Sequence, residues 1–513
     1  MFQSRVKSAV SGQASKIGLL AITLVFILFG IKDGAAQAPT PEEPAQGPLR
    51  IETVLKASAT HFPSILEALA KRRGAAGDAL SAQGAFDVVF SADGFDRVSG
   101  FFDGGVIDTK VERQFRPLGA KVFGSYRVSD GLFPTYENIE NTNTLGEGKI
   151  GVIFSLLRDK NIDPRRFQEL DTSLALRQAD LDVLLTKVGV QYNALTAYWR
   201  WVAAGQQLSV FESLLQIARN RQSGLKEQVD QGARAAIFLT ENLQNITRRQ
   251  RLVTEAERDF EIAANELSFY YRDTLGQPLI PTRRQLPTLD LMEPLDVSMD
   301  LGGGITEDNG DLVMAALAAR PELAILRTAL DRARAKVQLS ENELKPRLDL
   351  NAEVSRDFGE INEGGPSFDS TDTIVGFRFS VPFQRREAKG RLARARADFD
   401  AVEQARRRTQ DRIELEVRNI LINLTTSARI ATIAGQETSQ AETMERAERE
   451  RFASGASDFF LVNVREETTA DARIRELLAE LQIHIARANY DAATVNLERL
   501  GLADSPYADI VGQ

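Results

Sequence analysis

Two histidines, His61 and His484, and no cysteine are what the chain offers for the commonest nucleophilic and metal chemistry. A Ser-His-Asp triad would have to be built on one of these two residues, and a His-rich metal cluster is excluded. The absence of cysteine also rules out disulfides, zinc-thiolate sites, a Cys nucleophile and a lipidated N-terminal Cys. There is no phosphate-cradling Gly-rich loop ending in Gly-Lys-Ser or Gly-Lys-Thr. Carboxylates are plentiful, so a hydrolase that uses a pair of them is not formally excluded, but no spacing singles such a pair out. No enzyme activity, cofactor or metal is therefore expected. With 72 Asp and Glu against 63 Lys and Arg, the chain is acidic and a poor candidate for nucleic-acid binding.

The elements that carry these residues begin with an export signal. Arg5, Lys7 and Lys16 precede the apolar run IGLLAITLVFILFGI from Ile17 to Ile31, and small residues follow in DGAAQAPT. This is the pattern of a secretory signal peptide over residues 1–36, with cleavage after Ala36. The run is short for a spanning helix, which needs roughly 20 residues, so an uncleaved anchor is the weaker alternative. No later apolar stretch approaches that length. Any membrane-spanning part must then be β-structure, the other form that satisfies its own backbone polar groups in lipid.

Alternating segments of that kind are present, and they recur in two ordered copies. In the second copy RLDLNAEV puts Leu348, Leu350, Ala352 and Val354 on one face and Arg347, Asp349, Asn351 and Glu353 on the other. After a polar loop, TIVGFRFSVPF sets Phe377, Phe379, Val381 and Phe383 on one face. In the first copy FDVVFSADGF and EGKIGVIFSLL take the same places. Between them VIDTKVERQF and AKVFGSYRVS read as further β segments joined by Arg116-Pro117-Leu118-Gly119. The pattern leaves open whether these extend the strands or form a separate hairpin. Phe101, Phe102, Phe115, Phe133, Tyr136 and Phe368 flank the β segments, as an interfacial belt or as packing residues.

A very long helical run follows each strand pair. In the first copy Leu181, Leu185, Val188, Tyr192, Leu195, Trp199 and Val202 keep alternating spacings of four and three, the seam of a coiled coil. The runs break at KEQVDQGARAAIFL and ERERFASGASDFF, where Gly232 and Gly455 can end one helix and Ser457 or Asp458 can start the next. Each copy thus predicts a long antiparallel hairpin. The first repeat spans 37–273, with β segments within about 86–156 and a hairpin at about 164–272. A Pro/Gly-rich connector covers 274–310. The second repeat spans 311–501, with β segments at about 346–383 and a hairpin at about 386–500, and 502–513 is a tail. The charged row Arg394, Arg396, Asp398, Asp400 and Glu403 reads as a solvated helix face.

Taken together, ARPELAILRTALDRARAKVQLSENELKPRLDL, the strand-to-helix junctions IFSLLRDKNIDPRR and FSVPFQRREAKGRLARARADFD, and the tips ERFASGASDFFLVNVREETTADAR and KEQVDQGARAAIFLTENLQ resemble the outer membrane efflux proteins, or TolC family. The resemblance covers nearly all of the mature chain. It implies a mainly α protein with membrane β: a homotrimeric β-barrel continuous with a periplasmic α-barrel, in the outer membrane of a Gram-negative bacterium. It also implies a passive exit duct that takes substrates from an inner-membrane pump through a periplasmic adaptor, in efflux or type I secretion. A periplasmic adaptor and a structural coiled-coil envelope protein are the alternatives. An adaptor would show one hairpin interrupting a β domain, and a structural coiled coil would not need the strands.

The family constricts its periplasmic end with an aromatic three residues before the turn Gly, an Arg two after it, and Asp six and nine after it. Here those positions hold Phe452, Ser457, Leu461 and Val464, so the aromatic stands alone and an acidic ring is not expected. In the first copy Arg234 lies two after Gly232. The candidate tip and gate residues are therefore Gly232, Arg234, Phe452, Gly455, Ser457 and Asp458, with Arg234 and Asp458 as ion-pair partners between neighbouring hairpins.

Overall fold

The computed structural model describes residues 47–134, 136, 140–287, 310–361 and 370–506. The expected signal peptide with its cleavage after Ala36, the 288–309 part of the connector, Phe368 and the end of the tail lie outside them. The elements come in two passes. The first is α1 (Ile51–His61), α2 (Pro63–Gln83), β1 (Val88–Phe95), β2 (Gly105–Gln114), β3 (Lys121–Asp130), β4 (Gly146–Ser155), α3 (Pro164–Asp230) and α4 (Ile237–Ser268). The second is α5 (Gly310–Ala319), α6 (Pro321–Glu343), β5 (Arg347–Phe358), β6 (Asp372–Ser380), α7 (Arg386–Ala453) and α8 (Phe459–Ala493).

Prolines at the first helical position start α2, α3 and α6, where their fixed φ fits and no N–H is missed. At α3 the preceding Asp163 caps the helix, accepting from the backbone N–H groups of Arg165 and Arg166 at 2.8 and 3.0 Å. α3 and α7 have 67 and 68 residues, about 100 Å each at the helical rise. Their return helices α4 and α8 have only 32 and 35 residues. The strand-side part of each long helix is flanked instead by α2 or α6. Arg72 pairs with Asp180 at 2.7 Å, Glu343 with Arg391 at 2.7 Å and Glu341 with Arg396 at 2.9 Å. α6 also bridges the two passes, through Arg332 and Asp171 at 2.8 Å.

Because α3 packs against α1, α2, α4, α6 and α8, one narrow seam does not account for its burial. Leu181, Val188, Leu195 and Val202 are buried, whereas Leu185, Tyr192 and Trp199 are half-buried. The deepest residues lie on neighbouring stripes: Leu184, Gln191, Ala194 and Trp201 are fully enclosed. Trp201 centres a cluster with Tyr198, Phe260 and Leu267. The segment just before α1 is tied to this core, since the Tyr198 hydroxyl donates to the Leu49 carbonyl at 2.9 Å.

The six strands form one antiparallel sheet in chain order. β2 and β3 therefore continue the sheet rather than stand apart from it. β6 stops at Ser380, so Val381 and Phe383 lie beyond the strand; Pro382 brings no N–H for a ladder. The pairing registers put Phe90, Val111, Ile150, Val354, Val375 and Phe377 on one face with Tyr126 and Val128. The other face carries Asp93, Asp108, Lys110, Glu112, Arg127, Lys149, Asp349, Asn351, Glu353 and Arg378. Of the flanking aromatics, Phe133 is buried, while Phe101, Phe115 and Tyr136 are exposed.

Candidate functional site

The two hairpin tips are built alike. Each long helix ends on a glycine with positive φ, Gly232 at 72° and Gly455 at 78°, a conformation that costs glycine little. In each, the second residue of the turn reaches back into the helix: Ala233 donates to Gln228 at 2.9 Å and Ala456 to Arg451 at 2.8 Å. Asp458, rather than Ser457, then caps α8 by accepting from Leu461 N–H at 2.8 Å. Ser457 donates instead to the buried carboxylate of Glu448.

Across the tips, Arg234 from the first hairpin lies over the ring of Phe452 in the second, 4.7 Å from its centroid, and over Phe238 at 5.7 Å. Such cation–π contacts are worth about 0.5–1 kcal/mol at exposed sites. Phe459 is buried between the hairpins, with ring centroids 6.2 Å from Phe238 and 6.4 Å from Phe452. Within one chain Arg234 is thus directed to aromatic rings and Asp458 to a helix cap. Phe452, Arg234 and Phe459 meet at one place, and Ser457 lies beside them on the turn.

A charged cluster missing from the sequence reading lies about two helical turns behind. The Glu466 side chain on α8 is completely buried, as is Arg249 on α4, and the two are 2.9 Å apart. Arg221 of α3 reaches the other carboxylate oxygen of Glu466 and donates to Asn463 at 2.7 Å. Arg449 of α7 approaches the same oxygen at 3.3 Å and pairs with Glu445 at 2.6 Å. One carboxylate thereby gathers a guanidinium from each of the other three hairpin helices. Burial pushes the pKa of Arg249 down, and the adjacent Glu466 opposes that shift. Arg249 also donates to the Leu214 carbonyl at 2.9 Å, which ties α4 to α3. No local spacing announces this group, because its members are single charges on four charge-rich helices.

The polar face of the sheet carries a second charged row. Arg127 meets Asp108 at 3.0 Å, Lys121 meets Glu112 at 3.2 Å and Ser155 donates to Asp349 at 2.8 Å. Among the described residues no three His, Cys, Asp or Glu side chains are grouped to hold a metal ion. His484 stands alone in α8, stacked on Trp199 with centroids 3.5 Å apart, and burial lowers its pKa to about 4. No described helix is long and apolar enough to cross a membrane.

Residues 312–494 match the family model described as Outer membrane efflux protein. No curated protein is detectably similar to the chain in sequence. Solved structures are. The open-state MtrE outer membrane channel of Neisseria gonorrhoeae is similar at a TM-score of 0.60 and 13% identity, over 87% of this chain and 89% of that one. The outer membrane protein VceC of Vibrio cholerae is similar at 0.59 and 14%, over 86% and 95%. The Campylobacter jejuni CmeC outer membrane channel is similar at 0.58 and 13%, over 88% and 89%. The second repeat thus matches the outer membrane efflux protein family model, and the chain shares the fold of these outer-membrane channels.

Proposed function

We propose that three copies of the chain form a passive exit duct through the outer membrane. The match of residues 312–494 to the outer membrane efflux protein model and the fold shared with outer-membrane channels support a site in that membrane of a Gram-negative cell, with the helical part in the periplasm, and an efflux channel role. In our reading the sheets supply the pore through lipid and the hairpins supply a tunnel below it. An inner-membrane pump would supply the energy, and a periplasmic adaptor would join pump to tunnel, in drug efflux or type I secretion.

The single observation that carries this reading is the two-faced sheet joined to two hairpins. A sheet apolar on one side and charged on the other suits lipid outside and water inside. Its open edges, β1 and β6, cannot remain unpaired in hydrocarbon, which makes association obligatory. The tips are the constriction in this proposal. Gly232 and Gly455 turn the chain, Arg234 and Phe452 clasp one hairpin to the other, and Ser457 and Asp458 fix the start of α8.

The test is the mass of the detergent-purified mature protein together with its conductance in planar bilayers. Discrete channels from a species of three chains are expected. A monomer that never inserts would overturn the proposal and favour an adaptor or a structural coiled coil.

A further inference from the structure

From the strand registers we infer that three copies close a barrel of eighteen strands, in which β6 of each copy hydrogen-bonds to β1 of the next. The inference rests on the trimeric duct proposed above and fixes its strand count. The repeat alone would supply two strands per pass, β1 with β4 and β5 with β6. The hairpin β2–β3 is the addition, and everything about it marks it as barrel wall.

Its strands have 10 residues each, the length that crosses a bilayer when tilted. Their outward row, Ile107, Val111, Val122, Tyr126 and Val128, is exposed and continues the apolar face of the other four strands. Their inward row carries the Arg127–Asp108 and Lys121–Glu112 pairs and continues the charged face. The turn between them is fastened to the helical side. Arg116 pairs with Glu169 of α3, lies over the Phe86 ring at 4.3 Å, and offers its carbonyl to Arg166 at 2.9 Å. So held, the hairpin cannot swing out of the sheet without breaking these contacts.

Closure follows from the register drift. Val88 opens β1 at its helix-side end, and the line of paired residues from it runs through Arg113, Val122, Val152 and Ala352 to Val375. Val375 lies five residues inside the helix-side end of β6. Strands whose ends lie level therefore climb about six residues per copy once the step to the next β1 is added, an even number that keeps apolar rows together. For three copies the shear is about 18, and with eighteen strands the tilt comes to about 35°, at the edge of the range found in barrels. Twelve strands would give a backbone radius of about 11 Å at that tilt, and eighteen give about 17 Å, wide enough for an aqueous lumen.

The same register sets Phe379 of one copy opposite Phe90 of the next and Arg378 opposite Ser91, with Asp93 on the neighbouring diagonal. Six strands being an even number, β6 and β1 meet antiparallel. The exposed apolar side chains of the two edges, Phe90 at 67% and Phe377 at 73% relative exposure, then share one lipid-facing surface.

Because the chain has no cysteine, engineered pairs report cleanly. Ser91→Cys with Arg378→Cys, and Val89→Cys with Ser380→Cys as a second pair, are oxidised in the full-length trimer and resolved by denaturing electrophoresis. We expect cross-linked species up to three times the monomer mass from the double variants and none from the single ones. Single-particle imaging of the unmodified trimer should show eighteen strands around the axis. A species of three chains that gives no β1–β6 cross-link, or that shows twelve strands with the hairpin outside the wall, overturns this inference while leaving the duct intact. A mass other than three chains overturns the trimeric reading and the strand count together.

Discussion

Replacing Glu466 by Ala would leave Arg249, whose side chain is wholly buried, with only the more distant Glu467 carboxylate at 4.0 Å, and would release Arg221 and Arg449 from their common partner. Removing one member of a buried ion pair costs about 3–5 kcal/mol, most of it the penalty of a stranded charge. Arg221 and Arg449 are partly exposed and can turn to water, so the Arg249 charge sets the magnitude. The four tip helices should then separate more readily, by roughly 100- to 4,000-fold at 1.4 kcal/mol per decade. Amide hydrogen exchange, read on the segments around Asn242–Val253 of α4 and Val462–Ala470 of α8, should speed up by at least 100-fold. The helical segments beside the sheet should not change. The double variant Arg249→Met with Glu466→Met removes both charges and should recover most of the protection, because an apolar pair of similar size replaces a buried ion pair at little cost. Exchange at the tip that stays within threefold of the parent in Glu466→Ala would refute the view that this carboxylate holds the hairpins together.

Three further outcomes follow from other sites. His484, held neutral by burial with its pKa lowered to about 4, contributes stability that is present above about pH 6.5 and lost as pH falls toward 4. Thermal unfolding should show a loss of about 2 kcal/mol between pH 7 and 5, and His484→Gln should remove that slope. Trp201→Ala empties the centre of the largest apolar cluster and should cost about 3–5 kcal/mol in denaturant unfolding, with a Phe replacement costing much less. Arg234→Ala with Asp458→Ala removes a cation–π contact and a helix cap, each worth about 1 kcal/mol, and should raise single-channel conductance in planar bilayers. Unchanged conductance would show that these two residues take no part in closing the tip.

Much of the plan was legible from residue order. Alternation in RLDLNAEV and EGKIGVIFSLL forecasts two-faced strands, because side chains in a strand alternate whatever they pack against. The glycines at 232 and 455 mark the hairpin turns, because few other residues adopt positive φ cheaply. Long helices without a spanning apolar run, behind an expected export signal, already point to β-structure as the means of crossing a membrane.

What tertiary structure decided is which of many similar residues matter. Heptad spacing led to Leu185 and Trp199, yet the neighbouring stripe with Trp201 and Gln191 is deeper, since α3 is enclosed by five helices and not by one partner. Glu466 is one acid among 72 acidic residues until folding brings three arginines to it from three other helices. The place of β2–β3 in the sheet depends on pairing partners distant in sequence. Local patterns are fixed by geometry that repeats every two or every 3.6 residues, whereas burial, ion-pair partners and strand neighbours are set by contacts that no local period encodes.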